Sequence, residues 1–270
     1  MKVGIIGLGP VGRSMRQMFE AEAKVVEYDK GIHEKYPEDE LAECDFAVVC
    51  VGTPMRDDGT CDVSHVEEAV TKLPVDRILI KSTIVPGTTD RLVAETGKHI
   101  CFSPEYIRET KYFHPCWDRG AASIPFFVIG GEPDSRQALI NHVIPILGPE
   151  KTYFQCTAIE AEIIKYMENS YLAAKVTFVN EFFEICQAFD ADWHIVREGW
   201  LLDPRVDKAH TLVFPQDRGF GGRCLPKDVN AIVEATAAVG YSAELLQAVL
   251  DSNRRFGGDS GPERRPGQNR

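Results

Sequence analysis

Gly7-Leu8-Gly9-Pro10-Val11-Gly12, close to the start of the chain, decides the predicted fold. The segment follows an apolar stretch, Lys2–Ile6, that is typical of a buried strand, and it opens a helical pattern. In a GxGxxG turn the first glycine permits the tight turn, the second lets a pyrophosphate approach the backbone, and the third allows close helix packing. The segment therefore predicts a Rossmann-type domain that binds NAD through Gly7, Gly9, Pro10, Val11 and Gly12.

Asp29 supports the same interpretation. It ends the second predicted strand, Lys24–Tyr28, where a carboxylate accepts hydrogen bonds from the ribose hydroxyls of adenosine. The same carboxylate would repel the 2′-phosphate of NADP, so Asp29 favours NAD, although the adjacent Lys30 weakens that preference. A glycine-rich turn in an unrelated α/β protein is the alternative.

Short apolar runs alternate with helical patterns through the first half of the chain. Continuous apolar runs are typical of parallel strands that are covered on both faces. We therefore predict an α/β fold with a doubly wound parallel sheet. Its predicted strands are Lys2–Ile6, Lys24–Tyr28, Phe46–Val51, Arg77–Lys81, His99–Phe102 and Phe126–Ile129.

The second half reads as all-helical. Residues 158–191 contain neither glycine nor proline, and a helix of that length would span roughly 50 Å. Two further helices are predicted, at 228–239 and 243–255. We expect a Rossmann domain at 1–157, an all-helical domain with a long connecting helix at 158–256, and a disordered tail rich in Gly, Pro and Arg at 257–270.

Composition excludes several classes of protein. The 270 residues are 44% hydrophobic and 26% charged, which is typical of a globular chain of about two domains. A net charge of −11 disfavours a nucleic-acid partner, and the longest apolar runs are far shorter than the roughly 20 residues of a membrane span. Because the N-terminus lacks the features of a signal peptide, we expect a cytoplasmic protein. The 8 cysteines form no CxxC pair, so we expect neither disulfides nor a metal site.

Cys224 lies in a setting different from that of the other cysteines. It follows a glycine turn, Gly219–Gly222, and precedes Pro226, which is favourable in the first turn of a helix. A thiolate is stabilised just before a helix, so Cys224 is a candidate nucleophile, and Asp228 would lie one turn further along. A structural cysteine beside a capping aspartate remains the alternative.

Lys165 and Asn169 are four residues apart on the long predicted helix. They therefore share a face, where a cation and an amide could together hold an oxyanion. A solvated lysine and an ordinary surface asparagine are the alternative.

Six segments, taken in order, resemble the UDP-glucose/GDP-mannose dehydrogenase family. Members of that family oxidise the C6 hydroxyl of a nucleotide sugar through an aldehyde to the carboxylate, using two NAD. The resemblance covers residues 2 to about 255, and we expect this sequence to lack the third, nucleotide-sugar-binding domain that usually follows. The matching segments are 7–12, 52–62, 82–88, 103–109, 162–181 and 219–228.

The resemblance implies a covalent mechanism. Cys224 would attack the aldehyde, hydride loss from the thiohemiacetal would leave a thioester, and hydrolysis would release the acid. Lys165 and Asn169 match the pair that stabilises the oxyanion, and Lys165 is also a candidate base for the first oxidation. Asp228 matches an acid that works through an ordered water or as a base.

Further roles are implied by position. Glu105 matches the carboxylate of thioester hydrolysis, and Thr83 matches a hydroxyl that orders water. Arg205 matches an arginine that reaches into the neighbouring subunit, which implies a homodimer with the long helix in its interface. The residues implied to contact NAD are Asp29, Thr53, Thr83, Glu109 and Arg223. The residues implied to contact substrate are Tyr106, Ile107, Arg108, Glu109, Lys165, Asn169, Arg205, Phe220 and Gly221.

One departure from the family pattern lies beside the candidate nucleophile, where Gln216-Asp217-Arg218 interrupts a loop that is usually glycine-rich. Two other functions stay open. The chain could be an NAD-binding dimeric scaffold that has lost turnover, or a dehydrogenase of the 6-phosphogluconate or hydroxyacid type, which uses a Lys and an Asn on a long helix and needs no cysteine.

Overall fold

The computed structural model describes residues 1–107 and 121–261, and the chain divides into two compact units. Unit 1 comprises Met1–Pro54 and Asp62–Lys165, and unit 2 comprises Met55–Cys61 and Tyr166–Arg270. The division falls within the long helix, eight residues after the boundary expected at 157/158. A short segment that interrupts unit 1 in sequence, Met55–Cys61, also belongs to unit 2.

Unit 1 is built on a sheet of seven strands within its described residues, in the order β2-β1-β3-β4-β5-β6-β7. The first five strands are parallel, β6 is antiparallel to β5, and β7 is parallel to β6. The predicted Rossmann-type sheet is thus confirmed, with an antiparallel pair and a seventh strand in addition. The strands are β1 Lys2–Ile6, β2 Lys24–Tyr28, β3 Phe46–Val49, β4 Arg77–Ile80, β5 His99–Phe102, β6 Phe126–Gly130 and β7 Thr152–Cys156.

Helices cover both faces of this sheet. They are α1 Pro10–Glu20, α2 Glu38–Ala42, α3 Ser64–Lys72, α4 Thr88–Thr96 and α5 Pro133–Leu147. Neighbouring strand residues point to opposite faces, so Val49 and Ile80 pack in one apolar cluster while Val48 and Leu79 pack in the other. The continuous apolar runs in the sequence arise because both faces are buried in this way.

Unit 2 is helical among its described residues. The long helix α6 spans Ala158–Ala188 and enters unit 2 at Tyr166; α7 Trp193–Trp200, α8 Leu225–Ala238 and α9 Glu244–Arg255 follow. Helix α6 ends three residues before the predicted end, and Asp190 takes a positive φ of 52° in the turn that follows. Ala173 of α6 packs with residues of α8 and α9, among them Val229 and Leu250.

The segment expected to be a disordered tail begins as ordered chain. Gly257–Gly261 follows α9, and Ser260 in it is only 2% exposed. The side chain of Asn253 donates hydrogen bonds to the Asp259 carbonyl and to the Ser260 hydroxyl, each at 2.9 Å. Residues 262–270 lie outside the described part. Across the described ranges, no helix is both long and apolar enough to cross a membrane.

Candidate active site

The glycine turn connects β1 to α1 as predicted. Gly7 has a φ of 90°, and a Cβ there would lie 2.9 Å from the backbone of Cys50 and Val51. A Cβ on Gly12 would overlap the Gly7 carbonyl oxygen, whereas a Cβ on Gly9 would meet nothing within 4 Å. Gly7 and Gly12 are thus required by packing, and Gly9 faces open space at the start of α1.

This turn lies where the strand order reverses. β1 stands between β2 and β3, and ligands of open α/β sheets bind at such a point, beyond the carboxyl ends of the strands. The first turn of α1 carries no acidic side chain, so its positive end is available to an anion. Thr53, 8% exposed, follows β3 at the same sheet edge.

Asp29 is tied to the turn. Its Oδ2 accepts a hydrogen bond from Leu8 N at 2.7 Å, and its Oδ1 accepts one from Gly31 N at 2.8 Å. These hydrogen bonds to Leu8 and Gly31 lower the pKa of the Asp29 carboxyl, which is therefore ionised at neutral pH. An open Gly9, a helix start without acids and an ionised carboxylate together fit the pyrophosphate and ribose of a dinucleotide.

Thr83 and Glu105 lie beyond the carboxyl ends of β4 and β5, at the same edge of the sheet. Glu105 is buried, and its Oε1 accepts hydrogen bonds from the backbone amides of Tyr106 and Ile107 at 2.8 and 2.9 Å. Lys165 Nζ donates to the Glu105 carbonyl oxygen at 2.6 Å. Unit 1 thus brings together three of the residues predicted to act on substrate.

Lys81 also belongs to this cluster, although the sequence analysis did not single it out. Its ammonium group lies 3.1 Å from Glu105 Oε2 and donates to Ser103 Oγ at 3.2 Å and to the Pro104 carbonyl at 2.9 Å. Both charged side chains are almost fully buried, where water cannot solvate them, so each charge is compensated by the other. A lone lysine at the end of an apolar strand was the available signal.

In unit 2, Cys224 lies at the N-cap of α8, as the placement of Pro226 predicted, and its side chain is exposed. Asp228, one turn along, is 1% exposed, and its amide donates to the Cys224 carbonyl at 2.9 Å. Asn169 Nδ2 donates to Asp228 Oδ2 at 2.5 Å. The candidate nucleophile, the candidate acid and the candidate amide therefore share one end of α8.

Lys227 completes this group and was not singled out from the sequence. Its Nζ lies 2.5 Å from Asp228 Oδ1. Burial alone would lower the pKa of Lys227, but the charge and hydrogen bond of Asp228, together with Cys61 and Cys224, outweigh burial, and the pKa lies above its ordinary value. Lys227 thus stays charged and also interacts electrostatically with Cys224.

The structure leaves some predicted residues outside these two groups. Arg205 is exposed and pairs with Asp203 in its own turn, and Arg223 and Gly221 are exposed. Phe220 packs its side chain into the core of unit 2, and its backbone N–H and carbonyl are hydrogen-bonded to Asn253, so the structure does not present it to a ligand. Arg108 and Glu109 lie outside the described residues.

The cysteines and potential metal ligands of the described ranges, 1–107 and 121–261, bear on disulfides and metal sites. Seven cysteines there are thiols rather than disulfides, and Cys224 is the exposed one among them. No group of three or more His, Cys, Asp or Glu side chains in those ranges could hold a metal ion.

Two family profiles match the chain. Residues 33–144 match the NAD binding domain of the UDP-glucose/GDP-mannose dehydrogenase family, and residues 159–255 match the central domain of the same family. Together they cover more than half of the chain, in the order that the family requires.

Individual relatives agree with these matches. UDP-glucose 6-dehydrogenase AglM from Haloferax volcanii is 31% identical over 253 residues, covering 84% of this chain and 55% of its own. UDP-glucose 6-dehydrogenase TuaD from Bacillus subtilis is 30% identical over 226 residues, covering 78% of this chain and 46% of its own. The solved structure of a UDP-glucose dehydrogenase from Pyrobaculum islandicum superposes with a TM-score of 0.77 at 26% identity, covering 94% of this chain and 68% of that one.

The chain spans about half the length of the curated relatives that it matches. The two profiles nevertheless account for both of its units, and the fold they require is present. The chain belongs to the UDP-glucose/GDP-mannose dehydrogenase family.

Proposed function

We propose that this protein is an NAD-dependent dehydrogenase that oxidises the C6 hydroxyl of a nucleotide sugar, similar to UDP-glucose, to the uronic acid. The observation that carries the proposal is the exposed Cys224 at the start of α8, with Lys227, Asp228 and Asn169 around it. A scaffold protein would have no need of an exposed thiol grouped with a half-buried lysine, a buried carboxylate and an amide.

The cofactor would be held by residues of unit 1. The turn Gly7–Gly12 and the start of α1 would bind the pyrophosphate, and Asp29 would accept from the adenosine ribose, with Thr53 and Thr83 at the same edge. When bound there, NAD would accept a hydride from the C6 carbon in each of the two oxidations.

Cys224 would carry the substrate between the two oxidations. Its sulfur adds to the aldehyde carbon, forming a carbon–sulfur bond while the carbonyl oxygen takes up a proton, and the second oxidation converts this thiohemiacetal to a thioester. Lys227 is a charged neighbour of the thiol and favours its thiolate form. Lys165 and Asn169 lie one turn apart on α6 and would stabilise the negative charge on the oxygen.

Hydrolysis would then free the acid. Water adds to the thioester carbon, the carbon–sulfur bond breaks, and the sulfur returns as the Cys224 thiolate. We assign Glu105 to this step, because two backbone amides hold Oε1 in one orientation, while Oε2, 3.1 Å from the Lys81 ammonium, accepts no hydrogen bond from a described residue. Asp228 is held between Asn169 and Lys227, and we assign it to proton transfer in the step at which Cys224 adds to the aldehyde.

We also propose that the active form is a homodimer. Exposed apolar side chains occupy one face of the unit 2 part of α6. With a rotation of about 100° per residue around the helix axis, they fall within a sector of about 60°. The opposite face carries the buried Asn169 and Asn180. An apolar stripe of this length is typical of a face that packs against another chain. Its residues are Met167, Tyr171, Phe178, Phe182 and Ile185.

The test compares wild type with Cys224→Ser and a control, Cys156→Ser. We expect Cys224→Ser to bind NAD with the wild-type dissociation constant and to form no acid, because serine cannot carry the thioester. Cys156→Ser, in the edge strand β7, should form acid at close to the wild-type rate. NAD binding without turnover in wild type would indicate a scaffold, and full turnover by Cys224→Ser would indicate a hydroxyacid-type dehydrogenase.

A further inference from the structure

The side chain of Asn253 connects the segment just before the candidate nucleophile to the segment that follows α9. It is fully buried on α9, and its Oδ1 accepts from Phe220 N at 2.7 Å while its Nδ2 donates to the Phe220 carbonyl at 2.9 Å. The same Nδ2 lies 2.9 Å from the Asp259 carbonyl and from the Ser260 hydroxyl, so its two hydrogens are shared among three acceptors. One side chain thus satisfies both backbone groups of Phe220 and anchors the segment after α9.

Two glycines make this arrangement possible. A Cβ on Gly219, which has a φ of 76°, or on Gly258 would overlap the Asn253 side chain. Gly258 N also donates to the Asn253 carbonyl at 3.0 Å. The backbone on both sides of Asn253 therefore approaches more closely than any residue with a side chain would allow.

The other flank of Cys224 is held by the same segment. Asn230, on α8, donates to the Pro226 carbonyl at 2.7 Å and to the Ser260 carbonyl at 2.8 Å. Phe220 lies four residues before Cys224 and Pro226 lies two after it. Both anchor points are therefore connected, through Asn253 and Asn230, to Asp259–Ser260.

The residues just before Phe220 are held as well. Gly219 N donates to Asn180 Oδ1 at 3.3 Å, and Arg218 donates to Asn180 and to Glu184 on α6. Arg218 belongs to the insertion that departs from the glycine-rich family pattern, and its guanidinium also stacks 4.6 Å from the Phe183 ring centroid. The exposed stretch between the anchors is thus limited to Gly221–Cys224.

We propose that Asn253 is a positioning residue for Cys224, and that Asp259–Ser260 braces the nucleophile loop through it. The brace holds Cys224 at the N-cap of α8, next to Lys227, before any substrate binds. The proposal rests on the proposed function only for the role of Cys224 as the nucleophile.

The test measures the alkylation rate of Cys224 by iodoacetamide in the native protein at pH 7.5, followed by peptide mass spectrometry. The variants are Asn253→Asp, which removes both amide hydrogens, and Gly258→Ala, whose Cβ would overlap the Asn253 side chain and so displaces the contact without changing the chemistry of Asn253. We expect alkylation to slow by about threefold or more in each, because the thiolate loses its place at the helix start. Cys224 is already exposed, so loosening the loop adds little access.

A matched control separates positioning from general destabilisation. Val179→Ala creates a cavity in a different apolar cluster of unit 2 and should leave the alkylation rate unchanged. Circular dichroism identifies any variant that fails to fold. If Asn253→Asp fails to fold, the alkylation rate of Gly258→Ala provides the test. An alkylation rate that is unchanged or faster in the folded variants would overturn the proposal. Alkylation needs no substrate, so a failure of the proposed dehydrogenase activity would leave this result interpretable.

Discussion

Gly9 and Gly12 stand three residues apart in one turn, and their missing side chains serve different purposes. A Cβ on Gly12 would overlap the Gly7 carbonyl, whereas a Cβ on Gly9 would project into open space. Gly9 has a φ of −62°, which alanine adopts without strain. Stability therefore depends on Gly12, and the room for a pyrophosphate depends on Gly9.

We expect Gly12→Ala to lose about 1–3 kcal/mol of unfolding free energy, because the turn and α1 must separate. Gly9→Ala should keep stability to within about 0.5 kcal/mol. It should nevertheless weaken NAD binding by roughly tenfold or more, which is about 1.4 kcal/mol. Urea unfolding and fluorescence titration with NAD measure the two quantities. Wild-type NAD affinity in Gly9→Ala would place the cofactor elsewhere.

Asp29 carries a prediction about pH. Its carboxylate accepts from two amides, and asparagine offers one acceptor oxygen in their place, so Asp29→Asn should cost about 1 kcal/mol at pH 7. Because the pKa of Asp29 is lowered in the folded state, its stabilisation is present above the unfolded pKa of about 4 and is lost as pH falls through the folded pKa. The stability gap between wild type and variant should thus close in acid. A gap that is constant from pH 7 to pH 3 would contradict this.

Residues with a recognisable chemical pattern were accessible from the sequence. Cys224 stood before Pro226, and Asp29 ended a strand, so local order was enough to select them. Lys81 was not predicted as a site residue, because its place in the site depends on the ion pair with Glu105. The pairing of β4 with β5 brings the two residues together. Asn253 was missed for the same reason, since its partner Phe220 lies 33 residues away.

Among the elements, α6 and α4 are joined by a buried carboxylate. Glu162 on α6 is fully buried and accepts from Gly87 N, Thr89 N and the Thr89 hydroxyl at 2.5, 2.9 and 2.6 Å. Burial raises the pKa of Glu162, and the hydrogen bonds from Thr89 and Gly87 oppose the rise. The long helix is thereby fixed to the start of α4 within unit 1.

Glu162→Gln should lower the unfolding free energy by about 1–3 kcal/mol, since the amide nitrogen would face a backbone donor and leave it unsatisfied. Glu160→Gln is the control, because Glu160 also accepts a backbone hydrogen bond, from Thr157 N, but lies at the surface, where water replaces a lost partner. We expect the control to lose less than about 1 kcal/mol in urea unfolding. Equal losses of unfolding free energy in the two variants would show that burial of Glu162 does not increase the contribution of its hydrogen bonds.

Most strands and helices could be predicted, because periodic apolar patterns are local. β1, β2 and β5 have their predicted ends, whereas β7 was not predicted. β7 is an edge strand whose Phe154 is 51% exposed, so its sequence lacks the apolar run that marks a covered strand. The antiparallel direction of β6 relative to β5 was not predicted either, since strand direction depends on the path of the chain between the two strands and not on their composition.

At the scale of the whole molecule, the apolar stripe on α6 predicts self-association. Met167 is 73% exposed on that stripe, so Met167→Glu should leave the fold of a single chain intact and shift the dimer towards monomer. Gln187→Glu, about 200° around the same helix, is the charge control. Light scattering coupled to size exclusion measures both. A wild-type monomer, or a Met167→Glu variant that remains dimeric, would contradict the prediction.

We propose a four-electron oxidation of a nucleotide sugar that is carried on Cys224. It is tested most directly by mixing the purified protein with NAD and a panel of UDP-, GDP- and N-acetylated sugars, with NADH and product acid quantified together. We expect two NADH per acid with one of these sugars and no aldehyde released. One NADH per product, or NAD binding with no NADH from any sugar, would contradict it.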